Sequence, residues 1–148
     1  EPYQTWEEMV EEAKELWNNT QDIFGGREVV RIATRFINLM RIPLPITNFD
    51  DYLTAGPKVP EKLPQGISSF ITRIVIQNPE IDAAAFVTQA LESTDQLHAP
   101  ITLDIDVVKQ INSTISEMKI WETMERLRDF KNDVFFESIT ERTAELFQ

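Results

Sequence analysis

The chain contains no cysteine, which excludes disulfide bonds, thiolate nucleophiles and zinc sites built on cysteine. It has one histidine, His98, so catalysis by histidine has a single candidate residue. Only four glycines are present and the eight prolines are bunched, which favours long uninterrupted helices. The longest apolar runs, such as residues 74–76, are too short to span a bilayer.

Basic residues are also scarce, and the 25 acidic and 14 basic side chains give a formal net charge of −11. Phosphate backbones are bound through lysine and arginine, so we expect no direct nucleic-acid binding. An anionic membrane surface is disfavoured for the same reason, and membrane insertion is not expected. The lack of cysteine and of a visible signal peptide favours an intracellular protein, although a processed N-terminus would hide such a signal.

Apolar residues at three- and four-residue steps predict helices in the first part of the chain. Thr5 and Glu8 form a capping box for a first helix, which ends at the glycine pair 25–26. A second helix then runs to Pro43, where proline ends it. The short connection predicts an antiparallel helical hairpin over residues 1–42.

Residues 43–64 contain five prolines and predict an irregular segment with one short helix near residues 49–53, closed by Gly56. Its apolar side chains are too numerous for a solvated linker, so we expect the segment to be pinned to the body of the protein.

Residues 65–148 predict a helical body. A third helix is expected around Ile71, and Asn78 followed by Pro79 is typical of the start of a fourth. Residues 101–105 alternate between apolar and polar, but we interpret them as a linker into a long C-terminal helix capped by Thr102 or Asp104. Residues 132–133 are a candidate interruption, so the C-terminal part is predicted to be either one long helix or a helical hairpin. The predicted fold is an all-α single domain, residues 1–148, with five or six helices in a compact bundle.

The first helix carries glutamates at three- and four-residue steps, which place carboxylates on one face: Glu8, Glu11, Glu12 and Glu15. With Glu92 and Asp95 they give an alternative function, a magnesium-dependent helical phosphohydrolase. A solvated acidic face is the simpler explanation, and we predict no metal, no cofactor and no enzyme activity. Asp95 and His98 make only half of a carboxylate metal motif, so a linker histidine is favoured there.

Arg27, Arg31 and Arg35 recur at four-residue steps and predict a basic stripe on the second helix. One interpretation is a patch that holds a phosphate or an acidic partner. The favoured one is that the stripe pairs with the acidic first helix across the hairpin.

Aromatic residues are crowded near both ends of the chain, and aromatic residues are enriched at the centres of protein interfaces. The apolar band of the long C-terminal helix is wider than one neighbouring helix can cover. We therefore predict a protein-binding face with these anchors: Trp121, Phe135, Phe136 and Phe147.

The favoured function is a non-enzymatic interaction or structural subunit of a larger assembly that binds a protein partner, or itself, through helix faces. An acidic mimic of nucleic acid that inhibits a DNA- or RNA-binding protein is a second alternative. The residues 146–148, Leu-Phe-Gln, match those that viral 3C-like proteases leave at a new C-terminus, so a viral polyprotein product is a third.

Overall fold

A four-stranded antiparallel sheet forms the centre of the structure, a computed structural model that describes residues 5–25 and 28–146. The elements follow in this order: α1 (Trp6–Phe24), β1 (Arg31–Pro43), a 3₁₀ turn (Phe49–Asp51), β2 (Phe70–Asn78), β3 (Ala83–Leu91), β4 (His98–Gln110), α2 (Glu117–Ser138) and α3 (Glu141–Glu145). The prediction of an all-α bundle of five or six helices is therefore wrong. The protein has a mixed architecture of helices and one antiparallel sheet.

The strands lie in the order β1-β4-β3-β2, so β1 and β2 form the two edges of the sheet. Phe36 of β1 lies opposite Ile105 of β4, which lies opposite Val87 of β3, and Val87 lies opposite Ile74 of β2. Side chains alternate between the two faces of a strand, so these four residues face the same side of the sheet. The residues two positions away from each of them along its strand face that side as well. We call that side the helix side of the sheet and the other the open side.

β4 shows why the central sheet forms. Its helix-side residues are completely buried: Ala99, Ile101, Leu103, Ile105 and Val107. The polar residues Thr102, Asp104 and Asp106 lie between them and face the open side. The alternation therefore extends from residue 99 to residue 107, and the expected linker is instead part of a strand in which every second side chain is buried. The predicted helix start at residue 102 or 104 is wrong.

β1 replaces the predicted second helix, and the first two elements do not form a helical hairpin. The arginine spacing did not distinguish the two structures. Residues four apart share one face of a helix, and they also share one face of a strand, because four is a multiple of two. The neighbouring strand β4 supplies the hydrogen-bonded partner that decides between them.

β2 and β3 form a hairpin where two helices were expected. Asn78 ends β2, and its side-chain oxygen accepts a hydrogen bond from the Glu80 amide at 3.1 Å. Asp82 has a φ of 52°, a conformation that aspartate tolerates in turns. Asn-Pro therefore opens a turn here, and not a helix.

α2 lies on the helix side, packs mainly over β1 and β4, and touches β3. Ile120, Leu127, Lys131 and Val134 are buried on its inner face. Ser116 caps its start by accepting a hydrogen bond from the Lys119 amide. The helix runs to Ser138 without an interruption at residues 132–133, so the helical-hairpin alternative for the C-terminal part is wrong.

Two predictions about local structure are confirmed. α1 begins after Thr5, whose hydroxyl accepts a hydrogen bond from the Glu8 amide, and ends at Gly25 with a φ of 69°. In the proline-rich segment Tyr52 and Leu53 are buried, and Leu53 forms a β-bridge with Ile139. The segment is therefore pinned to the body.

Among the described helices, none combines the length and the apolar character that crossing a membrane requires.

Candidate interaction surface

β2 is an edge strand, and its outer side is open in the described structure. Its inner side pairs with β3 along all nine residues from Phe70 to Asn78. Within residues 5–25 and 28–146, no strand pairs with its outer side. The outward-pointing N–H and C=O groups of β2 are therefore available to an added strand.

The side chains of β2 are aliphatic and exposed on both faces. Ile71 and Val75 lie on the open side, opposite Ala90 and Phe86 of β3. Ile74 and Ile76 lie on the helix side. The exposed fractions of the four residues are 75% for Ile71, 53% for Ile74, 48% for Val75 and 36% for Ile76. A half-buried strand normally alternates between apolar and polar residues, so exposed aliphatic side chains on both faces set β2 apart from an ordinary edge strand.

The position of α2 explains the exposure on the helix side. The helix packs mainly on the two strands at the other end of the sheet, β1 and β4. On β3, which α2 only touches, Val87 and Ala85 are still buried by their neighbours. Their β2 partners Ile74 and Ile76 lie one strand further out, beyond the principal cover of the helix.

Arg73 is the only charged residue of β2. Its guanidinium lies over the ring of Phe86, 5.5 Å from the ring centroid. This cation–π contact holds the charge on the open side of the sheet. The chain offers no other charge between Lys62 and Glu80, so this edge is a weakly charged region of a strongly acidic protein.

Of the predicted aromatic anchors, Phe136 is exposed (64%) and forms an edge-to-face pair with Phe135. Phe135 and Trp121 are only partly exposed and pack against the core. Lys14 of α1 lies over the Trp121 ring at 5.5 Å, so this tryptophan helps to attach α1. Phe147 lies outside the described residues. The anchors therefore do not form one exposed cluster with β2.

Arg31 and Arg35 lie on the open side of β1, and Arg27 lies outside the described residues. Arg35 binds Asp104 of β4 with two hydrogen bonds, at 2.9 and 2.6 Å, and Arg31 approaches Asp106 at 3.4 Å. The hydrogen bond and the charge of Asp104 hold the pKa of Arg35 above its ordinary value. The sequence had suggested that these arginines pair with the glutamates of α1. Both pair with aspartates of the sheet instead.

The acidic residues considered for a metal site are not gathered into one. The glutamates Glu8, Glu11, Glu12 and Glu15 are exposed on α1. Asp95 lies in the β3–β4 turn, where the amides of Leu97 and His98 donate to its carboxylate and hold its pKa below the ordinary value. Within the described part of the chain, no three His, Asp or Glu residues are grouped so that they could hold a metal ion.

A cavity of about 330 Å³ lies between the proline-rich segment and the nearby ends of β3 and β4. Its lining includes Phe49, Leu91 and Ala99. The two charged residues that line it, Asp50 and Lys58, pair with each other at 2.9 Å. We find no convergent set of unpaired polar groups there that would define a chemical reaction.

Sequence reasoning missed the aliphatic residues of β2 as surface residues. The run from Ile71 to Ile76 is rich in β-branched side chains, a signal for a strand that was available. The same run also fits a buried helix segment, and periodicity alone does not separate the two for so short a stretch.

Comparison of the chain with protein-family models, with curated proteins and with solved structures finds no match. Any functional proposal therefore depends on the geometry described above.

Proposed function

We propose that the protein is a non-enzymatic interaction module that binds another polypeptide along the outer edge of β2. The observation that carries the proposal is the combination, in one edge strand, of an open hydrogen-bonding side and four exposed aliphatic side chains. A strand added to this edge would make backbone hydrogen bonds and cover the aliphatic residues on both faces at once.

The aliphatic side chains set the scale of the binding energy. A fully buried aliphatic side chain contributes roughly 1.5–3 kcal/mol, so four half-exposed ones supply roughly 3–6 kcal/mol. Association costs on the order of 4–15 kcal/mol in lost freedom of motion. The strand hydrogen bonds therefore have to contribute too, and we expect moderate affinity and exchange between partners.

The proposed surface is a strand edge and differs from the helix faces expected from the sequence. The inner face of α2 is already occupied, because Ile120, Leu127 and Val134 pack against the sheet. Most of the apolar band that suggested a binding helix is therefore core, although Met118 and Phe136 remain exposed. Aliphatic residues are also exposed on α1 and on the open side of β1, but of the described strands β2 is the one that exposes them on both faces.

A capture experiment with matched variants tests the proposal. Three purified proteins would each be immobilised: the wild type, Ile74→Lys on β2 and Ile37→Lys on β1. Each would then be exposed to an extract of the cells in which the protein naturally occurs. The two isoleucines are similarly exposed, 53% and 63%, and each lies on an edge strand. We expect a polypeptide that the wild type and Ile37→Lys retain and that Ile74→Lys loses.

Hydrogen exchange on the captured complex then locates the contact. Amides of residues 70–78 should exchange more slowly in the complex than in the free protein, because an added strand would protect the outer N–H groups. Retention that does not change in Ile74→Lys, or protection confined to α2, would contradict the proposed function.

A further inference from the structure

The β2 edge fits one partner in particular, a second copy of the same chain. We propose that two copies pair their β2 strands antiparallel, about a twofold axis that passes midway between the two Ile74 residues, into one continuous eight-stranded sheet. This inference rests on the proposed function and names its partner. It follows from the register that β2 allows with itself and from the distribution of charge around the strand.

The twofold axis restricts the register. In an antiparallel pair, residues directly opposite each other have their side chains on the same face, so a symmetric pair must be centred on a residue. The centre of Phe70–Asn78 is Ile74, and that register pairs all nine residues. Ile74 then lies opposite its own copy, Arg73 lies opposite Val75, and Thr72 lies opposite Ile76.

Charge selects this register over its neighbour. Centring the pair on Arg73 would place two guanidinium groups opposite each other, which destabilises a strand pair. Centring it on Ile74 places each guanidinium opposite the aliphatic side chain of Val75. No like charges then lie directly opposite each other in the paired strands.

The same distribution of charge makes the β2 edge a better place for a second copy to bind than the rest of the surface. A protein with a net charge of −11 repels its own copies across most of its surface. Residues 63–79 carry a single charge, and it is positive. The β2 edge is therefore a place where two copies can approach without bringing carboxylates together.

The arrangement also accounts for exposure on both faces of β2. A twofold axis perpendicular to the sheet keeps both α2 helices on the same side. On the helix side, Ile74 of one copy then lies directly opposite Ile74 of the other and diagonally opposite its Ile76, in the stretch of sheet that α2 does not cover. On the open side, Ile71 of each copy lies diagonally opposite Val75 of the other.

Cysteine cross-linking measures the register directly, because the natural chain has no cysteine. Directly opposite residues of antiparallel strands have Cα atoms about 4.5–5.5 Å apart. A disulfide requires Cα atoms about 4.4–6.8 Å apart, so Ile74→Cys should form an intermolecular disulfide under mild oxidation.

Ile71→Cys is the matched control. In the proposed register Ile71 lies opposite Gln77, so the two copies of residue 71 are six residues apart along the strands, about 20 Å. Ile71 is more exposed than Ile74, so random collision would link Ile71→Cys faster. We expect at least tenfold faster linking of Ile74→Cys. Equal rates, or faster linking of Ile71→Cys, would overturn the register.

Analytical ultracentrifugation tests the dimer itself. The wild type and Ile37→Lys should dimerise as concentration rises. Ile74→Lys, which places two lysines opposite each other across the axis, should remain a monomer at concentrations at least tenfold higher. Circular dichroism would confirm that both variants are folded. A wild type that stays monomeric at all concentrations, or a dimer that Ile74→Lys retains, overturns the proposal.

The failure of this inference and the failure of the proposed function are distinguishable. A monomeric protein that still captures a different polypeptide, with loss in Ile74→Lys, removes the second copy as partner and keeps the proposed function. Capture that is insensitive to Ile74→Lys removes the proposed function itself.

Discussion

β1 and β2 are the two edge strands of one sheet, yet they present different side chains to their surroundings. The helix-side residues Met40 and Ile42 of β1 are buried, while Ile74 and Ile76 of β2 are exposed. On its open side β1 carries Arg31, Arg35 and Arg41 and ends at Pro43; β2 carries Arg73 alone, with no proline.

The difference follows from the placement of one helix. α2 packs mainly over β1 and β4, so β1 belongs to the core although it lies at an edge. Charged residues and proline protect an exposed edge from pairing with other chains, and β1 has both. β2 has the single charge of Arg73 and no proline, and it also lacks the cover of α2. An edge is therefore defined by what packs on its faces as much as by its place in the strand order.

The largest expected effect compares isoleucines of the two edges. Ile42→Ala on β1 removes a completely buried side chain and should reduce the free energy of unfolding by about 2–5 kcal/mol. Ile71→Ala on β2, at an exposed position, should change it by about 1 kcal/mol or less. Urea unfolding at low protein concentration measures both. Similar losses in the two variants would show that β2 is as well covered as β1.

A medium effect concerns the segment that connects the two edges. A Cβ atom at Gly56 would lie 3.0 Å from Phe49 Cβ and 3.2 Å from the Phe49 carbonyl carbon, whereas one at Gly66 would meet nothing within 4 Å. We expect Gly56→Ala to destabilise the protein by about 1–3 kcal/mol through overpacking. Gly66→Ala should be neutral, or stabilising by up to about 1 kcal/mol.

Limited proteolysis measures how each of these two substitutions affects the packing of the segment near Lys58. Lys58 lies two residues after Gly56, and its contact with Asp50 holds this part of the segment. Cleavage after Lys58 should accelerate in Gly56→Ala and not in Gly66→Ala. Equal cleavage in both variants would mean that the segment is not held by the packing of Gly56 against Phe49.

The smallest effect concerns the covered side of β1, where Lys131 of α2 is buried. Its ammonium lies 3.8 Å from the centroid of the Phe36 ring, and burial lowers its pKa from the ordinary value of 10.5. The repulsion from Arg128 acts in the same direction. As pH rises toward 10.5, the folded protein loses this proton before the unfolded chain does. The folded state is therefore favoured increasingly over that range.

Lys131→Met removes the titrating group. The free energy of unfolding of the wild type, relative to that of Lys131→Met, should therefore increase as pH rises through the lowered pKa toward 10.5. Lys119→Met, on the exposed side of α2, is the control for the loss of one lysine charge from the same helix. Urea unfolding from pH 7 to 10.5 measures the difference. A relative stability that falls with pH would contradict burial as the dominant cause.

Structural features that leave a local signal in the sequence could be predicted. The helix start at Thr5 follows from the capping geometry of Thr5 and Glu8. The pinned proline-rich segment follows from its apolar content, and Tyr52 and Leu53 are indeed buried. The helix start is decided by contacts within a few residues, which the sequence displays directly. The apolar content of the segment predicted its burial but not its pairing with Ile139.

The strands could not be predicted in the same way. Ala83, Ala84 and Ala85 favour helix by intrinsic propensity, yet they lie in β3 because β2 and β4 pair with it on both sides. In β1, the four-residue steps between apolar or charged residues fit a helix and a strand equally well. The alternation in β4 was visible but was followed only to residue 105.

The amino-acid sequence by itself determined the charge, the absence of thiol chemistry, the capped first helix and the apolar residues available for a core. Only the tertiary structure decided which apolar residues are core and which are surface. Ile42 and Ile74 are the same residue type, each on an edge strand, and they differ because α2 packs over one end of the sheet. Burial depends on pairings between residues far apart in the chain, such as Phe36 with Ile105, and no local pattern encodes them.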